Sequence, residues 1–155
     1  MSLGEFAYAM NSNRFLACDV LAAQAFAVLG VPFDGAVTNR PGARFGPQEI
    51  RRASLMYCEA MHPHFDVSPL ALLGDGGDMR LPNASPLAEV RRHIEAQASA
   101  AMAKHHCVFL GGDHSVTLAL LRAARKQHGP VALIHFDAHC DTWVDHFGEP
   151  SGHGT

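Results

Sequence analysis

Three side chains that can bind a metal ion stand at every second position near the end of the segment VALIHFDAHCDTW, residues 131–143. In an extended strand, Asp137, His139 and Asp141 would point to one face, because side chains two residues apart share a face. Burying two carboxylates and an imidazole together is costly unless a cation compensates them. Oxygen and nitrogen donors without thiolate suit an ion such as manganese better than a structural zinc. The spacing therefore predicts a divalent-metal site.

A second segment offers a further ligand. His114 follows an apolar run in the sequence GGDHS, residues 111–115, where two glycines allow a tight turn. The alternative interpretation is a histidine at a helix N-terminus with a local hydrogen bond. For Asp137, His139 and Asp141 the alternative is a polar strand end that meets solvent, with an aspartate capping the next helix. The joint pattern favours metal ligands in both segments.

The elements that would position these residues alternate along the chain. Apolar runs bounded by turn residues predict strands, and apolar residues at helical spacing predict helices between them. The predicted strands are 25–31, 70–73, 106–110 and 131–137, and the predicted helices are 47–61, 85–102 and 116–126. This order predicts an α/β fold of three layers, with a parallel sheet covered by helices on both faces. Ligands of such sheets bind beyond the carboxyl ends of the strands, where GDGGD, GGDHS and HFDAHCD stand.

Composition excludes several classes of protein. A length of 155 residues predicts one domain, and a net charge of −3 without a basic block argues against nucleic acid as a partner. The four cysteines form no C-x-x-C pair, which disfavours a zinc ribbon and favours reduced thiols in the cytoplasm. The N-terminal residues have no basic region and no long apolar core, and no apolar run approaches the ~20 residues of a membrane span, so we expect neither a signal peptide nor membrane association.

Four blocks of sequence together resemble the ureohydrolase family of arginases, agmatinases and guanidino-acid hydrolases. They are NRPGARFGPQEIRRAS, GGDHSVTLALLRA, HFDAHCDTW and SGHGT. GVPFD, RPGARFGP and HGT are most similar to the agmatinase branch. The resemblance covers residues 29–155, so we expect one partial ureohydrolase-like α/β domain over residues 1–155, with residues 1–24 as a poorly matching N-terminal segment.

The resemblance implies an arginase-like fold and a binuclear manganese centre. It implies that His114 and Asp141 bind one ion, that Asp137 bridges both, and that His139 binds the second. His153 matches the family histidine that shuttles a proton; from local sequence alone it is a turn histidine between two glycines. A cation lowers the pKa of water from ~15.7 toward neutrality, which suits hydrolysis of a resonance-stabilised guanidinium group.

The substrate implied by the resemblance is a small guanidino compound, most simply agmatine, which would give putrescine and urea for polyamine metabolism. The loop Thr142–Gly152 contains Asp145 and Glu149 but no lysine or arginine, which favours a cationic substrate tail. The alternatives are a guanidinobutyrate- or guanidinopropionate-type ureohydrolase, or an inactive metal-binding fragment of such an enzyme. A deacetylase of the same superfold is disfavoured, because no H-H-G pair occurs. Substrate-binding residues stay unknown.

The metal ligands available here are too few for two ions. The family completes its site with two aspartates from a later S-x-D-x-D segment, and this chain contains no D-x-D. We therefore expect a truncated fold, an isolated 155-residue chain without activity, and a homo-oligomer for the full-length enzyme. We interpret one group of loop residues as structural, with an arginine pairing with a carboxylate: Arg40, Arg44, Gly46 and Pro47. We interpret the aspartates of GDGGD, Asp75 and Asp78, as turn and packing residues.

Overall fold

The computed structural model describes residues 13–57, 60–145 and 147–155. Its strands are β1 (Asp19–Val20), β2 (Phe26–Val31), β3 (Leu73–Asp78) and β4 (His106–Gly111), and its helices are α1 (Gly46–Ser54), α2 (Leu87–Met102) and α3 (Val116–His128). Two 3-10 helices, Phe15–Ala17 and Ala43–Phe45, precede β1 and α1. From β2 onward, strands and helices alternate as the sequence predicts.

The four strands form one parallel sheet in the order β1-β3-β2-β4. Strand β2 is central, and its Val28 faces Asp75 of β3 on one side and Val108 of β4 on the other. Because the strands run in the same direction, the loops that follow Val31, Asp78 and Gly111 leave from one edge of the sheet. That edge carries the candidate site.

Helices and apolar side chains cover both faces of the sheet. On one face Val31 packs with Ile94 of α2 and Ala119 of α3. On the other face Val28 packs with Leu73 of β3, beside the 3-10 helix Phe15–Ala17. The amide of Leu16 in that helix donates to Ser54 Oγ of α1 at 2.7 Å, which joins the two elements. The predicted three-layer parallel α/β fold is confirmed.

One predicted strand is wrong. Residues 131–137 form no strand, and the fourth strand of the sheet is the short β1, which the sequence pattern did not indicate. Ile134 and Phe136 are 81% and 94% exposed. An apolar strand of a parallel sheet needs a hydrogen-bonded neighbour and cover on both faces, and this segment has neither in the described part of the chain. The apolar side chains of this segment could be buried, but a strand would form only if another surface of the protein packed against them.

Two element boundaries also differ from the prediction. Helix α1 ends at Ser54, because Ser54 Oγ donates to the carbonyl of Arg51 and accepts from Leu16, which competes with continuation of the helix. Strand β3 runs through GDGGD and only begins where the predicted strand 70–73 ends. Its glycines fit there because the side chains of Leu21 and Leu29 occupy the space that a Cβ at Gly76 would need.

The loop before α1 is held by an ion pair. Arg44 Nε donates to Asp34 Oδ1 at 2.6 Å, and the amide of Gly42 donates to Asp34 Oδ2 at 2.7 Å. The hydrogen bond from Arg44 holds the pKa of the buried Asp34 carboxyl below its ordinary value, although burial alone would raise it. The predicted pairing of a loop arginine with a carboxylate is thus confirmed for Arg44.

A buried arginine joins α1 to β3. Arg51 Nε and Nη2 donate to the two carboxylate oxygens of Asp75 at 2.7 and 2.9 Å, and its Nη1 donates to Asp78 at 2.5 Å. Asp75 also accepts from the amides of Phe15 and Gly77, each at 2.8 Å. Both Arg51 and Asp75 are almost fully buried, so Asp75 acts in packing, as predicted. The predicted turn is wrong, because both aspartates of GDGGD lie in β3.

Gly112 should be among the least replaceable residues of the fold. A Cβ at this position would lie 1.8 Å from the carbonyl oxygen of Phe33, whereas a Cβ at Gly111 would meet only a methyl group of Val116 at 3.7 Å. We expect Gly112→Ala to lower the free energy of unfolding by about 1–3 kcal/mol, the usual cost of overpacking, and Gly111→Ala to lower it much less. Thermal unfolding of both variants measures the difference, and equal losses would contradict the close backbone approach.

None of the helices formed by the described residues has the length and hydrophobicity needed to cross a lipid bilayer.

Candidate metal centre

His114 is held at the start of α3 by the turn that follows β4. The buried Asp113 accepts hydrogen bonds at Oδ1 from the amide of Ser115 at 3.0 Å and at Oδ2 from the amide of Ala36 at 2.9 Å. The ring of His114 contacts Thr117 Oγ1 through Nδ1 at 3.2 Å. Its Nε2 therefore faces the loop that carries Asp137 and Asp141. The turn thus fixes both the position and the orientation of this imidazole.

Four side chains converge at this point. His114 Nε2 lies 3.3 Å from Asp141 Oδ2, and His135 Nε2 lies 3.4 Å from Asp137 Oδ2. The two imidazole rings stack, with centroids 5.0 Å apart and planes inclined by 13°. One ligand atom from each of these four residues lies within 4.8 Å of the others. The group is therefore compact enough to surround a single cation.

The Asp137 carboxylate lies between two histidines. Its Oδ2 faces His135, whereas its Oδ1 lies 3.4 Å from His139 Nδ1 and accepts the His139 amide at 2.8 Å. That backbone hydrogen bond is the main reason that the pKa of Asp137 lies below its ordinary value. Each oxygen of this carboxylate therefore has an imidazole beside it.

His139 lies at the periphery of this group. Its side chain is 82% exposed, and it is not among the four residues whose donor atoms converge. His135 takes that place, although the sequence interpretation did not single it out. The signal was present in the sequence, because His135 continues the alternation of ligand residues two positions before Asp137.

Asp141 has an unusual backbone conformation for a residue other than glycine. Its φ is +47°, in the left-handed region. Aspartate is several-fold enriched among non-glycine residues that adopt this region, and such conformations cluster at functional sites. The turn at Asp141 brings its carboxylate back toward His114, with its side chain only 18% exposed.

A cavity of about 280 Å³ opens beside the group. His114, His135 and Asp141 line it together with His153 and Arg91. The ring of His153 is oriented by the carbonyl of Ala36, which lies 2.8 Å from Nδ1. Because a carbonyl only accepts, this hydrogen bond places the ring hydrogen on Nδ1.

The donor set fits a divalent cation. Two imidazoles and two carboxylates supply nitrogen and oxygen without thiolate, which suits manganese and similar hard-to-borderline ions. An ion would also compensate the two carboxylates. The chain is therefore a parallel α/β protein with a candidate divalent-metal centre in the loops that follow the carboxyl ends of its strands.

The chain belongs to the arginase family, whose model matches residues 24–155. It is 42% identical over 133 residues to the mitochondrial agmatinase of Gallus gallus, covering 83% of this chain and 38% of that protein. It is 40% identical over 130 residues to the mitochondrial guanidino acid hydrolase of Homo sapiens, covering 83% of this chain and 37% of that protein. The family that the sequence motifs predicted is confirmed.

Solved structures show the same fold. A hypothetical agmatinase from Burkholderia thailandensis superposes with a TM-score of 0.82 at 35% identity, over 92% of this chain and 47% of that chain. The proclavaminate amidino hydrolase from Streptomyces clavuligerus superposes with a TM-score of 0.81 at 33% identity, over 91% and 48%. The chain thus spans about half the length of these structures and about two-fifths of the length of the curated relatives above.

Proposed function

We propose that this chain supplies part of the binuclear manganese centre of a ureohydrolase that converts agmatine to putrescine and urea. The observation that carries the proposal is the convergence of His114, Asp137 and Asp141 in a member of the arginase family. The agmatinase relatives support the choice of reaction, since a chicken and several bacterial agmatinases are 41–43% identical to this chain.

The contacts within the group support distinct ligand roles. His114 and Asp141 are in contact at 3.3 Å, as two ligands of one ion would be. Asp137 directs Oδ2 to His135, within the group that contains His114 and Asp141. Its Oδ1 lies beside His139. We therefore assign His114 and Asp141 to the first ion, Asp137 to the bridge and His139 to the second ion.

Manganese, when bound, supplies an activated water at neutral pH. The remaining chemistry falls to side chains that line the cavity. His153 lies there with its Nδ1 hydrogen directed to Ala36, so its Nε2 can accept a proton from the attacking water and pass it to the departing amine. A positioned histidine typically contributes 10²–10⁴-fold to such a step. Asp113 acts indirectly, by holding the turn that carries His114.

The substrate assignment rests on the loop Thr142–Gly152, whose charged side chains are acidic and which carries no lysine or arginine. A cationic tail such as that of agmatine is electrostatically favoured by such a loop. Arg91 also lines the cavity, so guanidinobutyrate and guanidinopropionate, which end in carboxylates, are the informative competitors. We further propose a cytoplasmic homo-oligomer for the full-length enzyme.

Two hybrid enzymes test the substrate. In one, this chain replaces the N-terminal half of the hypothetical agmatinase from Burkholderia thailandensis, and in the other the corresponding half of the Streptomyces clavuligerus amidino hydrolase. Urea release with manganese is measured for agmatine, guanidinobutyrate and guanidinopropionate. If residues of this chain set the preference, agmatine has the highest kcat/KM in both hybrids. The assignment fails if agmatine is the slowest substrate in both.

The isolated 155-residue chain is expected to release no urea from agmatine with added manganese. Its own residues offer Asp137 and His139 to the second ion, whereas a hard divalent ion such as Mg²⁺ or Ca²⁺ takes about six or more ligands. The same assay on the hybrids is the positive control. Robust turnover by the isolated chain would refute the requirement for ligands from outside it.

A further inference from the structure

We propose that Arg91 is the positioning residue of His153, because it holds the turn 150–155 that places this histidine at the cavity. The inference rests on the proposed function for the role of His153 in proton transfer, and it adds a residue outside the metal centre on which that transfer depends. Arg91 lies in α2, 60 positions before the residue of the turn that it contacts.

The side chain of Arg91 occupies a position where α2 otherwise buries apolar residues. It is 8% exposed and stands on the same helix face as Ile94 and Ala98, which belong to the core. Burial lowers the pKa of the Arg91 guanidinium, and the negative charge of Glu149 partly opposes this effect. A cation in this place is costly, so its contacts indicate what it stabilises.

The contact of Arg91 is with the backbone of the turn that carries His153. Its Nη2 donates to the carbonyl of Ser151, and the amide of Ser151 donates to Glu149 Oε1 at 3.0 Å. The buried Nε of Arg91 has no acceptor among the described residues. Hydrogen bonds to charged groups are stronger than those between neutral groups, so the guanidinium and the carboxylate together fix the turn two residues before His153.

A second contact sets the ring of His153. The carbonyl of Ala36 lies 2.8 Å from its Nδ1, and the amide of Ala36 donates to the buried Asp113 at 2.9 Å. This alignment depends on where the turn lies, because the turn carries the imidazole to Ala36. A misplacement of about 1 Å at a catalytic group can cost roughly 10²-fold in rate. Release of the turn by loss of Arg91 would therefore disturb the orientation and reach of His153.

The position of His153 can be followed by ¹⁵N NMR on the full 155-residue chain, without enzymatic activity. The ring-nitrogen shifts report which nitrogen carries the hydrogen, and in the wild type we expect Nδ1. Arg91→Met should move neutral His153 toward the Nε2-protonated form, which imidazole side chains prefer in water. Arg91→Lys keeps a charged donor and should show a smaller change.

Arg92 is the matched control, since it is the next residue of α2, is exposed and does not line the cavity. Arg92→Met should keep the wild-type tautomer of His153. Circular dichroism checks that each variant is folded. A hydrogen retained on Nδ1 in both Arg91 variants, or lost to the same extent in Arg92→Met, overturns the proposal.

Urea release by the Burkholderia thailandensis hybrid measures the consequence for the reaction. We expect Arg91→Met to lower kcat for agmatine about 10–100-fold, with little change in KM, and Arg92→Met to leave both unchanged. In a hybrid that already carries His153→Ala, Arg91→Met should cost little more, because a positioning residue acts through the residue that it holds. Equal losses in the two backgrounds overturn the proposal. So does a raised KM for guanidinobutyrate alone, since Arg91 would then contact substrate.

Manganese binding separates this role from the metal centre. Free Mn²⁺ is followed by electron paramagnetic resonance while the isolated chain is titrated, and Arg91→Met should bind as the wild type does, because Arg91 is not among the possible ligands. A weaker affinity in Arg91→Met, but not in Arg92→Met, overturns the proposal. A wild-type hybrid that releases no urea from any guanidino compound would remove the proposed function, and the tautomer of His153 would then decide the present inference alone.

Discussion

Replacing Arg51 by methionine is expected to lower the free energy of unfolding by about 3–5 kcal/mol, the usual consequence of removing one partner of a buried ion pair. Arg51 is 5% exposed and donates to both oxygens of Asp75, which is 3% exposed. Without the guanidinium, Asp75 would stay buried with its charge uncompensated by Arg51, although the amides of Phe15 and Gly77 still donate to it. The substitution would also remove the hydrogen bonds that join α1 to β3 through Arg51 and Asp75.

Arg52 provides a matched control on the same helix. It pairs with Glu49 at 2.6 Å, but its side chain is 70% exposed, and exposed pairs typically contribute about 0–1 kcal/mol. Chemical denaturation of Arg51→Met and Arg52→Met measures both losses. If the two variants lost the same free energy, the Arg51 network would have no special role in the fold.

The same network predicts how stability depends on pH. Burial alone would raise the pKa of Asp75, but hydrogen bonds from Arg51, Phe15 and Gly77 outweigh burial and hold this pKa below its ordinary value. A carboxyl with a lowered folded-state pKa stabilises the fold above its unfolded pKa of about 3.9, and the contribution is lost as the pH falls below that value. Acidification below about pH 4 should therefore destabilise the wild type more than Arg51→Met.

Asp137→Asn is expected to weaken manganese binding by the isolated chain more than about a hundredfold, beyond the loss typical for residues that only orient a ligand. Asp137 is the carboxylate that contacts both His135 and His139. Asparagine keeps the shape of the side chain but removes its charge and one of the two acceptor oxygens. The change therefore acts on both sides of the site.

Asp145 is the matched control for this substitution. It lies in the following loop, where it accepts the amide of Gly148 at 3.1 Å, and it is not among the residues that line the cavity. Asp145→Asn should leave manganese binding unchanged in the same titration. Comparable losses in the two variants would indicate a general effect of acidic charge instead of a ligand role for Asp137.

Much of the site follows from spacing and from the direction of the strands. His114 comes directly after a strand, and Asp137 and Asp141 follow a second apolar run, so a parallel fold was expected to bring them to one edge. The structure does place them together, although residues 131–137 are not a strand. The turn at Asp141 and the hydrogen bond from the His139 amide to Asp137 hold these side chains near His114, which was expected of the predicted strand.

Other features depend on contacts between distant parts of the chain. The pairing of Arg51 with Asp75 joins residues 24 positions apart, and no local pattern specifies it. The two-residue β1 is too short for periodicity to indicate, since its pairing with Gly74 and Asp75 defines it. His135 lies inside the predicted strand 131–137 and was not singled out from the sequence, whereas the structure leaves it beside the cavity.

The central claim is that this chain holds a metal centre for guanidino hydrolysis, and urea release by the Burkholderia thailandensis hybrid tests it most directly. Agmatine is supplied with and without manganese, and the hybrid is compared with its Asp137→Asn and Asp145→Asn variants. We predict urea release that requires manganese, is lost in Asp137→Asn and is retained in Asp145→Asn at saturating agmatine, where a weaker hold on the cationic tail would not limit the rate. A folded hybrid that releases no urea from agmatine or either guanidino acid, or one that is unaffected by Asp137→Asn, would contradict the claim.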